Sequence, residues 1–156
     1  MSSPETRKWL LQNVHPYPHR DRVYADIDSL LSIFSTLRPK SDVYSSVIYR
    51  LLLLPNPTNL FFLAAYDDGR TQLLLCIHGL LPITFNQASY NIPIAVWLTR
   101  QYPQHPPIVY VVPTKDMLVK AGKYVDLSGK CNIEYMQSWE RKSEVSRSGS
   151  WFRLSF

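Results

Sequence analysis

The stretch TQLLLCIHGLLPITFNQASYNIPIAVWLTRQYPQHPPIVYVVP, residues 71–113, decides the fold of this chain. It holds three apolar runs rich in β-branched and aromatic side chains, at residues 71–81, 90–99 and 106–113, and such runs are typical of strands. Five prolines between positions 93 and 113 argue against a helix here, because proline lacks the amide proton that a helix interior needs. The pattern therefore predicts strands of an antiparallel meander.

Two helices are predicted ahead of these strands. Ser3 can cap the first helix, Pro4 suits its first turn, and Glu5 favours the positive end of its dipole. Apolar residues at spacings of three and four predict a second helix from Asp21 to Thr36. Its apolar face consists of Val23, Ile27, Leu30, Leu31 and Phe34. The proline at 39 is expected to end that helix, and the order of elements predicts an α+β domain.

The composition favours one compact domain without a nucleic-acid partner. The chain has 156 residues, of which 46% are hydrophobic, enough for a core and too many for a disordered protein. The net charge is +5, but the basic residues are scattered, and the densest cluster, ERKSEVSR, is interrupted by two glutamates. The N-terminal residues have no long apolar region behind their charges, so no signal peptide is expected.

The most apolar segment, residues 45–65, does not have the pattern of a membrane span. A span needs about 20 nearly continuous apolar residues, whereas Arg50 and the sequence PNPTN interrupt this segment. The four histidines lack metal-ligand spacing with the cysteines; they are His15, His19, His78 and His105. We therefore expect no membrane span, no metal site and no cofactor.

The chain contains two cysteines, Cys76 and Cys131, and Cys131 is a candidate nucleophile. The pair makes no disulfide framework and fits a reducing compartment. A reactive thiol needs a neighbouring base or cation that lowers its pKa. Lys130 is adjacent in sequence, but adjacent side chains along a strand point apart. Both cysteines are therefore interpreted as inert apolar residues.

Three segments together carry a family resemblance: YNIPIAVWL, YPQHPPIVYVVPT and KYVDLSGKCNIEYMQSWERKSE. They closely resemble the ubiquitin-conjugating enzyme variant (UEV) domain of the ESCRT-I vacuolar sorting subunit, the fungal counterpart of the animal tumour-susceptibility protein. The resemblance covers roughly residues 5–44 and 66–144. It implies a ubiquitin-conjugating-enzyme-like α+β fold, with N-terminal helices packed on a four-stranded antiparallel meander and, in this chain, truncated C-terminal helices.

The resemblance also implies that catalysis is absent. Active conjugating enzymes place their nucleophile three residues after the glycine of a Gly-x-Ile-Cys stretch, and the third residue after Gly129 is Asn132. Cys131 lies one position earlier, so on extended backbone its side chain is expected to face the other way, into the domain. The His-Pro-Asn motif, whose asparagine stabilises the oxyanion, is replaced by the sequence GKY at residues 122–124.

Two recognition surfaces are implied in place of catalysis. A groove for proline-rich P[ST]AP-type peptides would use Phe85, Tyr90, Asn91, Thr114 and Met117. Such peptides are already extended when free, so they bind aromatic grooves at low entropic cost. Phe85 stands where relatives often have tyrosine. A ubiquitin-binding surface would use Tyr66, Asp67, Asp68, Trp97 and Tyr110. Without the resemblance, residues 67–69 would be interpreted as a turn only.

The resemblance divides the chain into a UEV domain at residues 1–144, with an apparent insertion at 45–65, and a divergent tail at 145–156 that is predicted to be disordered. A translated intron would also explain the abrupt composition of the insertion. The implied function is non-catalytic binding of ubiquitin or ubiquitinated cargo, and of P[ST]AP peptides, during multivesicular body sorting. The implied location is the cytoplasm, peripheral on endosomes, and a full-length form would contact other ESCRT-I subunits.

Three alternatives remain compatible with the sequence. The chain could be the kind of UEV that partners an active conjugating enzyme in building ubiquitin chains, although those partners lack the groove pattern around YNIPI and VVPT. It could instead be an active conjugating enzyme that uses Cys131. It could also be a fragment without function.

Overall fold

The computed structural model describes residues 2–44, 72–117 and 119–139. The elements of that part of the chain are α1 Pro4–Asn13, α2 Arg20–Ile33, β1 Leu37–Tyr44, β2 Gln72–Phe85, β3 Ala88–Leu98, β4 Ile108–Val111 and α3 Glu134–Gln137. The strands form one sheet in the order β1-β2-β3-β4, and every neighbouring pair is antiparallel. The predicted α+β class and its four-stranded meander are confirmed.

α1 begins where its sequence predicts. The Ser3 side chain accepts a hydrogen bond from the Thr6 backbone N–H at 3.2 Å, which satisfies one of the donors left open at a helix start. Pro4 occupies the first turn, where its missing N–H costs nothing, and Glu5 lies near the positive end of the helix dipole. Leu10 is the residue of α1 that is fully buried.

α2 ends earlier than predicted. Its apolar face is as expected, with Val23, Ile27, Leu30 and Leu31 buried and Phe34 packed against them. The helix stops at Ile33 rather than Thr36, and Phe34 is its C-cap. Pro39 does not terminate it, because Pro39 lies inside β1, an edge strand, where sheets tolerate proline. The Thr36 hydroxyl donates to the Leu80 carbonyl and fixes the short connection against β2.

The hairpin of β2 and β3 is longer than predicted. The strands run to Phe85 and from Ala88, so only Asn86 and Gln87 connect them. These two residues have φ angles of 49° and 63°, and consecutive left-handed residues are typical of a type I′ turn. Because β1 pairs with β2 only as far as Gly79, the distal half of the hairpin extends past β1.

The side chains of β2 are buried on both faces of the sheet. On the face that packs against α1 and α2, the helix-side core includes Leu75, Ile77, Leu81, Ile94, Val96, Leu98 and Val109. On the opposite face, Leu74, Cys76, Ala95, Trp97 and Tyr110 form a separate group, the second cluster. Strand alternation requires this division, because successive side chains point to opposite sides.

A buried hydroxyl ties the connection between α1 and α2 to the sheet. The Tyr17 hydroxyl donates to the Leu98 carbonyl at 2.8 Å and accepts from the Leu75 N–H at 2.9 Å. Tyr17 is 2% exposed, and burial raises the pKa of its phenol, so the hydroxyl keeps its proton at neutral pH. One side chain thus satisfies two buried backbone groups, one on β2 and one on β3.

A buried carboxylate joins α2 to the loop between β3 and β4. Asp26 is 5% exposed, and its Oδ2 accepts hydrogen bonds from Arg22 Nε at 2.7 Å and from the Tyr102 hydroxyl. Such a group is tolerated in a core only when it is paired and hydrogen-bonded. In the same loop the Pro103 carbonyl accepts from Trp139 Nε1 at 2.7 Å, so the segment around α3 is anchored there too.

Several sequence predictions lie outside the described residues. They concern the turn at 67–69, the insertion at 45–65 and the tail at 145–156. Within the described ranges, no helix has the length and apolar character needed to cross a membrane. The same ranges contain no group of three or more His, Cys, Asp or Glu side chains that could hold a metal ion.

A substitution at Gly79 tests how closely β2 packs against the connection between α2 and β1, and the same substitution at Gly122 is its control. Gly79 has φ 144°, and a Cβ there would lie 2.5 Å from the Thr36 carbonyl oxygen. Gly79→Ala should therefore lower the free energy of unfolding by roughly 1–3 kcal/mol. Gly122→Ala should change it by less than about 1 kcal/mol, because a Cβ at Gly122 meets nothing within 4 Å. Urea unfolding of both variants measures the difference, and equal values would contradict the prediction.

Candidate functional site

Cys131 lies in a short extended segment beside β4. Its backbone N–H donates to the Val109 carbonyl at 2.8 Å, and it forms an isolated bridge with Val125. Its side chain packs against the helix-side core, as the one-residue offset predicts. Burial raises the pKa of the Cys131 thiol to about 11. The thiol is therefore protonated near neutral pH and is a poor nucleophile.

The residues at the position of the oxyanion motif make a surface cluster. Lys123 Nζ lies 4.8 Å from the centroid of the Tyr124 ring and 3.3 Å from Glu134 Oε1. Asn132, which stands at the position of the nucleophile, donates its backbone N–H to the Tyr124 carbonyl at 2.7 Å and is exposed. The Lys123 ammonium group thus has the Glu134 carboxylate and the Tyr124 ring as partners.

Cys76 is more deeply buried than Cys131. It is 0% exposed in the second cluster, and burial raises the pKa of its thiol to about 12. Both cysteines are free thiols. Their burial agrees with the interpretation of both as apolar core residues.

Two aromatic residues predicted for the peptide groove are exposed on the distal hairpin. Phe85 is 64% exposed and Tyr90 is 50% exposed. Tyr90 is paired with Ile83, and Phe85 with Ala88, so both rings project from the helix-side face of the hairpin. Ile83 and Ile92 on the same face are half-buried against the helix-side core. The two rings therefore continue the apolar surface of the core out to solvent.

The other three predicted groove residues occupy different positions. Asn91 follows Tyr90 directly, so its side chain projects from the opposite face of β3. Thr114 lies past the end of β4 and is exposed. Just past the end of β4, the Val112 N–H donates to the Pro93 carbonyl of β3 at 2.9 Å. Asn91 and Thr114 are each two residues along the chain from this bond. Met117 is half-buried and donates its N–H to the Thr114 carbonyl at 3.0 Å.

The residues predicted to contact ubiquitin divide into two groups. Tyr66, Asp67 and Asp68 lie outside the described residues. Trp97 and Tyr110 are 1% and 4% exposed, so they are core residues of the second cluster rather than open surface.

The residues that surround Trp97 were not predicted from the sequence. The Tyr44 ring centroid is 5.2 Å from that of Trp97, its hydroxyl is 3.2 Å from the Tyr110 hydroxyl, and Lys40 Nζ lies 6.0 Å from the Trp97 ring. Lys40, Asp42 and Tyr44 are two residues apart along β1, and Asp42 Oδ2 binds Lys40 Nζ at 2.8 Å. Because side chains two residues apart share a face of a strand, these three could have been predicted to lie together. Neither the apolar pattern nor the family resemblance assigned them a role.

Comparison with known proteins settles the family. The UEV domain model matches residues 54–148, which is more than half of the chain. The chain belongs to the UEV domain family. The match includes residues 54–65, so the limits of the apparent insertion remain a prediction.

One curated relative and two solved structures illustrate how similar UEV proteins are to this chain. The human tumor susceptibility gene 101 protein is 30% identical over 131 residues, covering 84% of this chain. The yeast vps23 UEV domain in complex with a vps27 PSDP peptide superposes with a TM-score of 0.69 at 23% identity, covering 89% of this chain and 82% of that one. The Vps23 UEV in complex with ubiquitin gives 0.63 at 22% identity, covering 94% and 91%.

These comparisons confirm the resemblance and the ubiquitin-conjugating-enzyme-like fold, the latter through its structural likeness to the Vps23 UEV domain. The chain spans only 28% of the length of the human relative. The activity and partners of such a longer protein therefore do not transfer directly to this UEV domain.

Alkylation measures the state of the Cys131 thiol. With a pKa of about 11, the thiolate fraction should rise about tenfold for each pH unit between 7 and 9.5. Iodoacetamide labelling, followed by mass spectrometry of peptides, should show that increase at Cys131 and slower labelling of buried Cys76. The urea-unfolded chain should react faster at each pH. A labelling rate at Cys131 that is already constant near pH 7 would indicate an activated thiolate and contradict the prediction.

Proposed function

We propose that this UEV domain is a non-catalytic module that binds short proline-containing peptides and ubiquitin during endosomal sorting by ESCRT-I. The observation that carries the proposal is the exposed pair Phe85 and Tyr90, 64% and 50% exposed on one face of the hairpin. Exposed large aromatic rings beside one another are a common mark of a binding surface. The proposed function requires only binding by the domain and no covalent catalysis.

The chemistry of the hairpin suits a proline-containing peptide. Such a peptide is already extended when free, and its prolines carry no backbone N–H. Flat aromatic side chains can therefore stack on its proline rings at low entropic cost. The Asn91 amide and the Thr114 hydroxyl would form hydrogen bonds with the peptide backbone. Both residues are close in sequence to the hydrogen bond between Val112 and Pro93. Met117 would contribute an adaptable apolar contact. A similar UEV domain, that of yeast vps23, has been solved with a PSDP peptide.

Two features support the absence of catalysis. The Cys131 thiol packs against the core with a pKa raised to about 11, which removes the nucleophile. The oxyanion motif is replaced by residues 122–124, where Lys123 is engaged by Glu134. Acyl transfer needs both a nucleophile and a donor aimed at the developing oxyanion. The proposal is therefore that this domain recognises ubiquitin without conjugating it.

For ubiquitin we propose contacts at residues 66–68, as the family resemblance implies. Trp97 and Tyr110 are buried, so their proposed role is to keep the sheet rigid rather than to touch ubiquitin. The Tyr44 hydroxyl beside that of Tyr110, and the Tyr44 ring packed at a tilted angle on Trp97, would hold these side chains in place. Support for ubiquitin as partner comes from the similar Vps23 UEV, which has been solved with it.

The peptide proposal predicts a local loss of binding. Phe85→Ala and Tyr90→Ala should each weaken binding of a P-T-A-P peptide at least about tenfold, because each removes a stacking ring. Tyr124→Ala, which removes an equally exposed ring elsewhere, should leave the affinity unchanged within about twofold. Isothermal titration calorimetry on the folded variants provides the comparison. Equal weakening by all three changes, or full affinity in both hairpin variants, would count against the groove.

The proposal of a non-catalytic domain predicts no covalent ubiquitin adduct. Incubation with activating enzyme, ATP and ubiquitin should give no thioester that a reducing agent removes, because the Cys131 thiol stays protonated and inward-facing. An active conjugating enzyme in the same mixture is the positive control. An adduct that forms on the native chain and disappears in Cys131→Ser would instead identify an enzyme.

A further inference from the structure

A pocket that no part of the proposed function uses lies at the end of the sheet opposite the hairpin turn. It has a volume of about 500 Å³ and is formed by three separate segments. These are the connection between α1 and α2, the start of β2, and the loop between β3 and β4. They contribute, in that order, Pro16, Pro18 and His19; Gln72 and Leu73; and Arg100, Gln101 and Gln104. The peptide groove and this pocket are thus separated by the length of β2 and β3.

Arg100 forms a preorganised cationic part of this pocket. Its guanidinium carbon lies 5.6 Å from the centroid of the buried Tyr17 ring, and its Nη2 donates to the Leu73 carbonyl at 2.7 Å. Tyr17 is itself fixed by hydrogen bonds to β2 and β3. Guanidinium carries five N–H groups, and among the described residues Leu73 takes one. The remaining donors are held in place without any carboxylate partner in the described part of the chain.

The rest of the lining offers hydrogen-bond donors and no negative charge. Gln72, Gln101 and Gln104 present carboxamides from two sides, and His19 adds an imidazole. No described residue that lines the pocket is an aspartate or a glutamate. Pro16, Pro18 and Leu73 supply the apolar walls. This combination suits a ligand that carries a carboxylate next to apolar or backbone groups.

We infer that this pocket binds an acidic, extended peptide segment of a protein partner, with a side-chain carboxylate placed on Arg100. Most of the lining residues are exposed, so the pocket is an open groove that would leave much of a small molecule in water. An extended peptide instead lies along such a groove, and the glutamine amides can both donate to and accept from its backbone. The inference goes beyond the proposed function and does not depend on it.

The test compares two variants that change the net charge equally. Gln104→Glu puts a carboxylate into the pocket, whereas Gln87→Glu puts one at the hairpin turn, at the other end of the sheet. The probe is a fluorescein-labelled peptide of alternating Glu and Ala, and its matched control has Gln in place of each Glu. Fluorescence anisotropy is measured with the 156-residue chain at about 0.15 M salt, where distant charges are largely screened.

We expect the native chain to bind the Glu peptide at least about tenfold more tightly than the Gln peptide. Gln104→Glu should weaken that binding at least about tenfold, and Gln87→Glu should leave it unchanged within about twofold. Arg100→Gln should also weaken it, and because Arg100 packs on Tyr17, this variant is compared after its unfolding free energy has been measured. The Gln104→Glu result does not depend on that packing.

Two outcomes would overturn the inference. Failure of the Glu peptide to bind the native chain would show that the pocket is not a carboxylate site. Equal weakening by Gln104→Glu and Gln87→Glu would show that only the net charge of +5 attracts the peptide. Binding of the proline-containing peptide, measured in parallel, should be unaffected by Gln104→Glu, so a failure of this inference and a failure of the proposed function give different results.

Discussion

Four consecutive residues of β2, from Leu74 to Ile77, are buried, although a strand sends successive side chains to opposite faces. This stretch of the sheet therefore has to be covered on both sides. α1 and α2 cover Leu75 and Ile77, and Cys76 lies with Trp97 in the second cluster. A shift of one residue in the pairing of β2 would exchange the two sets of side chains, so the register of β1 and β3 is fixed by packing on both faces at once.

The same alternation determines what the candidate sites can do. On the hairpin it puts Phe85 and Tyr90 together on the helix-side face and sends Asn91 to the other face, so a ligand that used all three would have to wrap around β3. Near α3 it turns Cys131 toward the core, where the pKa of its thiol rises to about 11. This one-residue difference in phase leaves the Cys131 thiol buried, and that burial supports the proposal of a domain that binds ubiquitin without conjugating it.

Local sequence pattern was enough to predict the elements that pack on continuous apolar surfaces. The face of α2 followed from the spacing of its apolar residues, and the three strands between residues 71 and 113 followed from apolar runs rich in β-branched and aromatic side chains. The hairpin turn did not, because Asn86-Gln87 lacks the glycine that usually marks a type I′ turn. β1 came only from the resemblance, since Pro39 and its charged neighbours hide an edge strand. Individual contacts such as Asp26 with Tyr102, 76 residues apart, leave no periodic trace. For the same reason, the groove residues came from family resemblance, and the burial of Trp97 was not foreseen.

Both ends of the described chain are tied to α2, one directly and the other through Tyr102. The Ser2 backbone N–H donates to Asp28 Oδ1 at 3.1 Å. The Trp139 ring packs at a tilted angle on the ring of Tyr102, whose hydroxyl donates to Asp26. During synthesis on the ribosome, α2 emerges before the sheet with Arg22 already available to Asp26, but Tyr102, the second partner of that buried carboxylate, is made 76 residues later. The N-terminal helices thus leave the exit tunnel with an incomplete core, and the domain closes only after the loop between β3 and β4 has been translated.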